Sequence, residues 1–316
     1  MICEMKFPQI IAEKDFDAQF QSEIWLDAAK EICLRHRVSF TEIKRAGGSE
    51  HIVFFVNDTL VLKIYRPFRS CFERETKAIE ALGGKTNFKI PEIIYQNEFE
   101  GFRYVLMTRL KGELITRNDW LKFSEKTQIE FISKLAVGLK QIHQINPNFS
   151  ENNWAEFVRN RAETFVKRQI AHGVNRKIIE VLPEFIKENL KLVPTDSQTV
   201  FMHADVHFGN LSVTQNGANL EITGLFDFAD SRRGFYEYDF LAVGVLMIQG
   251  QGELQREFFR AYGYAESELD EMMRKRLMML TMLYETADLR RYALRLKPEA
   301  VNFTLEELER GIWSFV

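Results

Sequence analysis

The feature that most constrains the fold of this chain is a change in hydrophobic periodicity near residue 110. Before it, apolar residues alternate over short stretches, which predicts β-strands at 38–43, 51–56, 59–65, 93–97 and 102–108. Two helices, 17–36 and 70–82, are predicted among these strands. After it, the spacing predicts helices at 119–143, 154–171, 176–192 and over most of 236–315, with short strands between 199 and 228. The pattern predicts an α+β protein with a strand-rich N-lobe, 1–109, and a larger, mainly helical C-lobe, 110–316.

The composition narrows the class of protein. Of the 316 residues, 46% are hydrophobic and 28% charged, and the net charge is −3. This balance favours a globular protein and gives no reason to expect a nucleic-acid or membrane partner. The three cysteines, Cys3, Cys33 and Cys71, fit no zinc spacing, and the N-terminal segment does not read as a signal peptide. We therefore expect a cytoplasmic protein with reduced thiols; the sequence does not indicate its oligomeric state.

The most informative motif is H-x-D-x-x-x-x-N, formed by His203, Asp205 and Asn210 and followed by Asp227 at the end of an apolar strand. Mg²⁺ prefers oxygen ligands, which Asn210 and Asp227 offer. A further carboxylate, Asp205, can orient an acceptor hydroxyl and take its proton. Each residue alone is an ordinary turn former or helix cap. Together they predict phosphoryl transfer from ATP or GTP with Mg²⁺, with Asp205 as the catalytic base.

A second signal lies upstream, where Lys63 interrupts the apolar stretch 59–65. A cation inside a buried strand is unfavourable unless it meets an anion, and nucleotide phosphates supply one. Glu75, on the predicted helix 70–82, is expected to hold Lys63 in place, and Glu73 and Glu80 are rivals on the same helix. The alternative for Lys63 is an edge-strand lysine that reaches solvent. Its position upstream of the H-x-D motif favours the nucleotide-binding role.

With Lys63, Glu75, His203, Asp205, Asn210 and Asp227 in this order, the chain resembles the aminoglycoside phosphotransferase and choline kinase family. The resemblance covers about 43–263 and is strongest over 203–210 and 222–239. It implies a two-lobed, protein-kinase-like fold and an ATP- and magnesium-dependent kinase of a small molecule.

The same resemblance implies roles for further residues. Thr108 and Leu110 would belong to the hinge that binds adenine, and Ser49 would be a cofactor-binding residue in the loop 47–51 over the phosphates. His203 and Asp239 would support the catalytic loop. The loop 47–51 lacks the G-x-G-x-x-G of protein kinases, and the short segment from Asp227 to Asp239 leaves little room for a peptide-docking activation segment. A small-molecule acceptor is therefore expected.

The acceptor itself stays open. A cationic aminoglycoside, with antibiotic resistance as the biological role, requires an acidic pocket, for which the candidates are Asp230, Glu237, Glu285 and Asp288. Glu285 and Asp288 are expected to share one face of one helix. Nearby arginines, such as Arg232, could pair with these acids or bind an acceptor that carries a carboxylate or phosphate. An endogenous sugar, amino alcohol or nucleoside is the second choice.

Two rival hypotheses remain. His203, Asp205 and His207 could form the zinc or iron site of a metallohydrolase, although this leaves Lys63 and Asn210 without a role. A nucleotide-binding module without catalysis is the other rival, but every expected catalytic residue is present.

Overall fold

The structure, a computed structural model, describes residues 7–145, 147, 153–196, 199–217 and 219–316, and Cys3 lies outside the described residues. The helices are α1 (Glu13–Gln19), α2 (Ile24–Arg35), α3 (Cys71–Leu82), α4 (Arg117–Trp120), α5 (Glu125–Gln144), α6 (Trp154–Ala171), α7 (Arg176–Asn189), α8 (Phe240–Ala242), α9 (Gly252–Tyr262), α10 (Glu271–Leu283), α11 (Leu289–Leu296) and α12 (Leu305–Ile312). The strands are β1 (Ile43–Arg45), β2 (Ile52–Val56), β3 (Leu60–Ile64), β4 (Ile93–Phe99), β5 (Phe102–Thr108), β6 (Val200–Met202), β7 (Leu211–Asn216), β8 (Asn219–Leu225) and β9 (Arg232–Gly234).

The N-terminal part is built around a five-stranded antiparallel sheet in the order β1-β2-β3-β5-β4. Alternate residues of a strand point to opposite faces. Leu62 and Leu106 therefore pack on one side with Trp25 of α2, whereas Val105 and Met107 face α3 and the C-terminal part. Lys63, which pairs with Val105, lies on this second face, and the face forms one wall of a cleft.

The C-terminal part is a helical body with two small antiparallel pairs, β6 with β9 and β7 with β8. Helix α10 runs through its centre, with every residue from Leu277 to Leu283 buried. Asp227, directly after β8, contacts Lys63 of the N-terminal sheet at 2.8 Å. In the described residues, no helix is long and apolar enough to cross a bilayer.

Three expected elements differ from the structure. The helix expected at 17–36 is two helices, because the chain turns between Gln19 and Ile24 and the indole of Trp25 bonds back to the carbonyl of Gln19 at 2.8 Å. The strand expected at 38–43 includes only Ile43, since the side chain of Asn57 accepts the backbone N–H groups of Thr41 and Glu42.

The helix expected at 119–143 also begins later than the periodicity predicts. A short helix, α4, ends at Trp120, and the chain enters α5 only after Ser124, whose hydroxyl accepts the N–H of Thr127 at 3.2 Å. This side-chain cap fixes the start of α5. The hairpin β2–β3, the helix α3 and the strands β4 and β5 lie where the sequence predicts them.

Candidate active site

The centre of the cleft is a buried ion-pair network around Lys63 of β3. Its ammonium group lies 2.6 Å from Oε2 of Glu75 on α3 and 2.8 Å from Oδ1 of Asp227, which follows β8. Lys63 is 3% exposed, and Tyr65 donates a second hydrogen bond to Glu75 at 2.7 Å. The predicted partnership of Lys63 and Glu75 is therefore present, and Glu80 points to the exposed side of α3. One ammonium group joins the two halves of the cleft.

Burial alone would lower the pKa of Lys63, but the charges of Asp227 and Glu75 more than offset it and raise that pKa. Burial likewise acts to raise the pKa of Asp227, while Lys63 lowers it to about 2. Burial raises the pKa of Glu75. Lys63 and Asp227 are therefore both charged at neutral pH.

The β7–β8 hairpin brings Asn210 and Asp227 together. Leu211 and Leu225 pair across the two strands, so the residues just outside them meet at one end of the hairpin. The N–H of Phe226 donates to the carbonyl of Asn210 at 3.1 Å. Asp227 has a left-handed backbone conformation, φ 64°, which turns its carboxylate out of the strand direction. These contacts place the amide of one residue and the carboxylate of the other on adjoining strand ends.

The carboxylate of Asp205 is held at both oxygens. Asn210 donates its amide to Oδ2 at 3.2 Å, and Nε2 of His207 lies 3.2 Å from the same oxygen. Nδ1 of His207 accepts the N–H of Gly209, so Nε2 is the protonated nitrogen that faces Asp205. Burial acts to raise the pKa of Asp205, but His207 and Tyr284 outweigh it and lower that pKa. Asp205 is thus an oriented, ionised carboxylate.

Tyr284 is the residue that the sequence reasoning missed. Its hydroxyl donates a short hydrogen bond to Oδ1 of Asp205, and its side chain is buried. It lies directly after α10, where Arg161 donates to the backbone carbonyls of Leu283 and Tyr284 at 3.1 and 2.6 Å. A single tyrosine at the end of an apolar helix carries no local signal of this contact, because its partner is distant in the sequence.

Asp239 braces the loop that carries Asp205. Its carboxylate accepts the N–H groups of His203 and Ala204, at 3.0 and 2.5 Å, and it lies 2.9 Å from Nε2 of His143. These bonds hold Ala204 at φ 70°, a conformation that is uncommon for a residue other than glycine.

The geometry contradicts the metallohydrolase hypothesis. Both ring nitrogens of His203 are engaged: Nδ1 accepts the N–H of Asp205 at 3.3 Å, and Nε2 donates to the carbonyl of Phe226 at 3.0 Å. His203 therefore has no free nitrogen lone pair with which it could bind a metal ion together with His207 and Asp205. Among the described residues, no group of three or more His, Cys, Asp or Glu side chains is arranged to hold a metal ion.

Asn210 and Asp227 fit Mg²⁺ instead. The amide nitrogen of Asn210 is directed to Asp205, at 2.8 Å from its backbone carbonyl and 3.2 Å from its Oδ2, and within the described residues no donor meets the amide oxygen Oδ1. Asp227 uses Oδ1 for Lys63, which leaves Oδ2. The amide oxygen of Asn210 and the carboxylate oxygen of Asp227 are ligand types that Mg²⁺ binds while it retains waters and phosphate ligands.

The predicted hinge follows β5. The N–H of Thr108 is bonded to the carbonyl of Glu92 and that of Arg109 to Thr59. In the part of the chain that the structure describes, the N–H and the carbonyl of Leu110 make no hydrogen bond, so they are free for a ligand. The hydroxyl of Ser49 accepts the N–H of His51 at 3.1 Å, so it shapes its own loop.

The four acidic acceptor candidates do not form one pocket. Glu237 is fully buried, with both oxygens bonded to Arg276 at 2.6 and 2.7 Å. Asp288 caps α11 by accepting the N–H of Arg291. The expectation that Glu285 and Asp288 share a helix face is wrong, because α10 ends at Leu283 and α11 begins only at Leu289.

Asp230 and Glu285 remain beside the cleft. Glu285 forms an ion pair with Arg232, which is the first of the two alternatives given for the nearby arginines, that they pair with the acids. Burial, followed by the charge of Glu285, raises the pKa of Asp230 to about 6. Among the described residues, no side chain donates a hydrogen bond to the carboxylate of Asp230. Within these described residues, the side-chain oxygens of Asp230 therefore keep acceptor capacity beside the cleft.

Comparison with known proteins agrees with this geometry. The sequence matches the model of a phosphotransferase enzyme family, APH, over residues 42–273. No curated protein sequence matches the chain.

Solved structures resemble the fold over most of its length. The GDP complex of wild-type aminoglycoside 2'-phosphotransferase-IIIa has a TM-score of 0.71 and 15% identity, with 92% of this chain and 99% of that chain covered. The streptomycin–ATP complex of APH(2'')-IIa has a TM-score of 0.63 and 22% identity, with 90% and 98% covered. A putative fructosamine-3-kinase from Haemophilus somnus 129PT has a TM-score of 0.55 and 15% identity, with 91% and 97% covered. These structures confirm the two-lobed, protein-kinase-like fold.

Proposed function

Because the chain belongs to the phosphotransferase enzyme family, we propose that it transfers the γ-phosphate of ATP or GTP, with Mg²⁺, to a hydroxyl group of a small molecule. The observation that carries this proposal is the ion-pair network in which Lys63 lies 2.8 Å from Asp227, with Glu75 behind it. The buried ammonium group of Lys63 suits the phosphates of a bound triphosphate, and the nearby oxygens of Asn210 and Asp227 suit its metal ion. The cytoplasmic location stays a prediction.

In this proposal each residue has one task. Lys63 binds phosphate oxygens and is held in position by Glu75. Asn210 and Asp227 hold Mg²⁺, which neutralises phosphate charge when bound. Asp205 accepts the hydrogen bond of the acceptor hydroxyl and takes its proton as that oxygen bonds to phosphorus and the bond to the β-phosphate oxygen breaks. The free backbone groups of Leu110 bind the base of the nucleotide.

For the acceptor, we propose an aminoglycoside first. Asp230, whose pKa is raised to about 6 mainly by burial and by Glu285, would be stabilised in its charged form by an amino group. The structural neighbours that were solved with streptomycin and with kanamycin support this choice by likeness of fold.

An endogenous metabolite is the second candidate. The putative fructosamine-3-kinase has the same fold, and Arg232 lies beside the same part of the cleft, 4.4 Å above the ring of Phe157. If the acceptor carries an anionic group as well as hydroxyl groups, Arg232 would bind that anionic group in place of Glu285.

The test is a coupled assay that records ADP or GDP release with a panel of aminoglycosides and of hydroxylated metabolites. Mass spectrometry of the products then locates the added phosphate. The proposal requires at least one acceptor that gains a phosphate in a nucleotide- and Mg²⁺-dependent reaction. Nucleotide binding without transfer to any hydroxyl would instead support a binding module.

A further inference from the structure

His51 lies on the cleft-facing side of the N-terminal sheet. It directly precedes β2, and it is 6% exposed. Residues two apart on a strand share a face, and Val53 pairs with Lys63 across β2 and β3. His51 therefore lies on the same side as Lys63, and its ring is centred 5.1 Å from that of Tyr65. A polar ring thus lies beside the buried ammonium group.

The backbone decides which ring nitrogen of His51 carries the proton. The N–H of Arg66 donates to Nδ1 at 3.1 Å, so Nδ1 holds a lone pair. Burial, and then the charge of Lys63, lowers the pKa of His51 to about 3, so the ring is neutral at physiological pH. The single ring proton is on Nε2. Within the described residues Nε2 has no acceptor for it.

The loop 47–51 is held over the cleft by side chains on the neighbouring loop. Arg69 pairs with Glu50 at 2.8 Å, and Nε of Arg66 donates to the carbonyl of Glu50 at 3.4 Å. With the hydroxyl of Ser49 accepting the N–H of His51, the ring is fixed before any ligand binds. A fixed donor loses little entropy when it meets an acceptor.

We propose that Nε2–H of His51 donates a hydrogen bond to a phosphate oxygen of the bound nucleoside triphosphate, next to Lys63. The inference rests on the proposed function, because it requires a nucleotide in the cleft. A neutral donor suits this position. It adds a directional contact to an anionic oxygen without placing a second cation beside Lys63.

Two substitutions distinguish the roles of the two ring nitrogens of His51, Nδ1 as acceptor and Nε2 as donor. In His51→Asn, the side-chain oxygen can replace Nδ1 as the acceptor for Arg66, but no donor reaches the place of Nε2. In His51→Gln, the amide nitrogen can reach that place. His172→Asn is the matched control, because it makes the same kind of change at an exposed histidine after α6, 3.8 Å from Asp288, and it should leave both affinities unchanged.

The test measures the Kd of ATP and GTP with Mg²⁺, and of adenosine and guanosine, for each variant by calorimetry or ligand-observed NMR. His51→Asn should weaken binding of the preferred triphosphate on the order of tenfold and leave the nucleoside unchanged, since a hydrogen bond to a charged acceptor is lost. His51→Gln should restore most of the affinity.

The failures are distinguishable. If wild-type protein binds neither triphosphate, the proposed function falls, and this inference falls with it. If wild-type protein binds a triphosphate but His51→Asn binds it equally well, or loses nucleoside and triphosphate affinity alike, only the inference is overturned. A His51→Gln variant as weak as His51→Asn also contradicts the assignment of the donor to Nε2.

Discussion

The phenolic hydroxyl of Tyr284 donates a hydrogen bond to Oδ1 of Asp205, across 79 positions of the sequence. The opposite oxygen of the same carboxylate meets Asn210 and His207. The proposed catalytic base is therefore held from two sides, by its own loop and by the end of α10. This arrangement fixes the plane of the carboxylate without neutralising it.

We predict that Tyr284→Phe lowers kcat on the order of tenfold and leaves the KM of nucleotide and acceptor nearly unchanged. Loss of this hydrogen bond frees Asp205 to rotate, which affects the positioned transition state more than ground-state binding. Steady-state kinetics with the acceptor found in the screen measures the split. Tyr238→Phe is the control. The ring of Tyr238 packs against that of Tyr284, with 5.8 Å between the ring centroids, but its hydroxyl makes no hydrogen bond to Asp205. Equal effects of the two variants would show that only packing matters.

We predict that phosphate transfer requires Mg²⁺ and that Asp227→Asn raises the Mg²⁺ concentration needed for half-maximal rate at least about tenfold, because the anionic metal ligand is lost. Rates measured over a magnesium titration, after removal of metal by EDTA, give the comparison. Asp288→Asn, a change in the helix cap of α11, should leave the titration unaltered. Stoichiometric tightly bound zinc in purified protein, or transfer that is independent of magnesium, would count against the assignment.

A stability prediction concerns the contact between the two lobes at Gly138. A Cβ atom added at Gly138 of α5 would lie 2.0 Å from Cζ of Phe88, which follows α3. Both residues are buried, so Gly138→Ala forces this aromatic ring out of its site, at a cost of about 1–3 kcal/mol. Thermal unfolding should show a lower Tm. Gly47→Ala, where nothing lies within 4 Å of the added atom, should unfold at the wild-type temperature. An unchanged Tm for Gly138→Ala would mean that Phe88 is not packed there.

The sequence predicted the parts of the site that local patterns encode. Lys63 interrupts an apolar strand, and Asn210 and Asp227 border strands of one hairpin, so their types and positions already imply a shared location. The structure brings these residues and Glu75 together as expected.

The sequence predictions that were wrong, and the site residue that was not predicted, have physical causes that local periodicity does not reveal. The apolar spacing of α10 continues past Leu283, but Tyr284 leaves the helical conformation and Asp288 caps the next helix, so Glu285 and Asp288 separate. Glu237 was indistinguishable from an acceptor ligand because Arg276, its partner, is 39 positions away. Tyr284 was missed for the same reason, since only the fold brings it to Asp205.

The central claim, that this cleft catalyses phosphate transfer with Asp205 as its base, is tested most directly by Asp205→Asn. The measurement is the rate of phosphate transfer to the identified acceptor, recorded beside the Kd of the nucleotide for the same protein. We predict a loss of about 10²–10⁴-fold or more in rate, with nucleotide affinity within a few-fold of wild type. Transfer by Asp205→Asn at the wild-type rate would contradict the account.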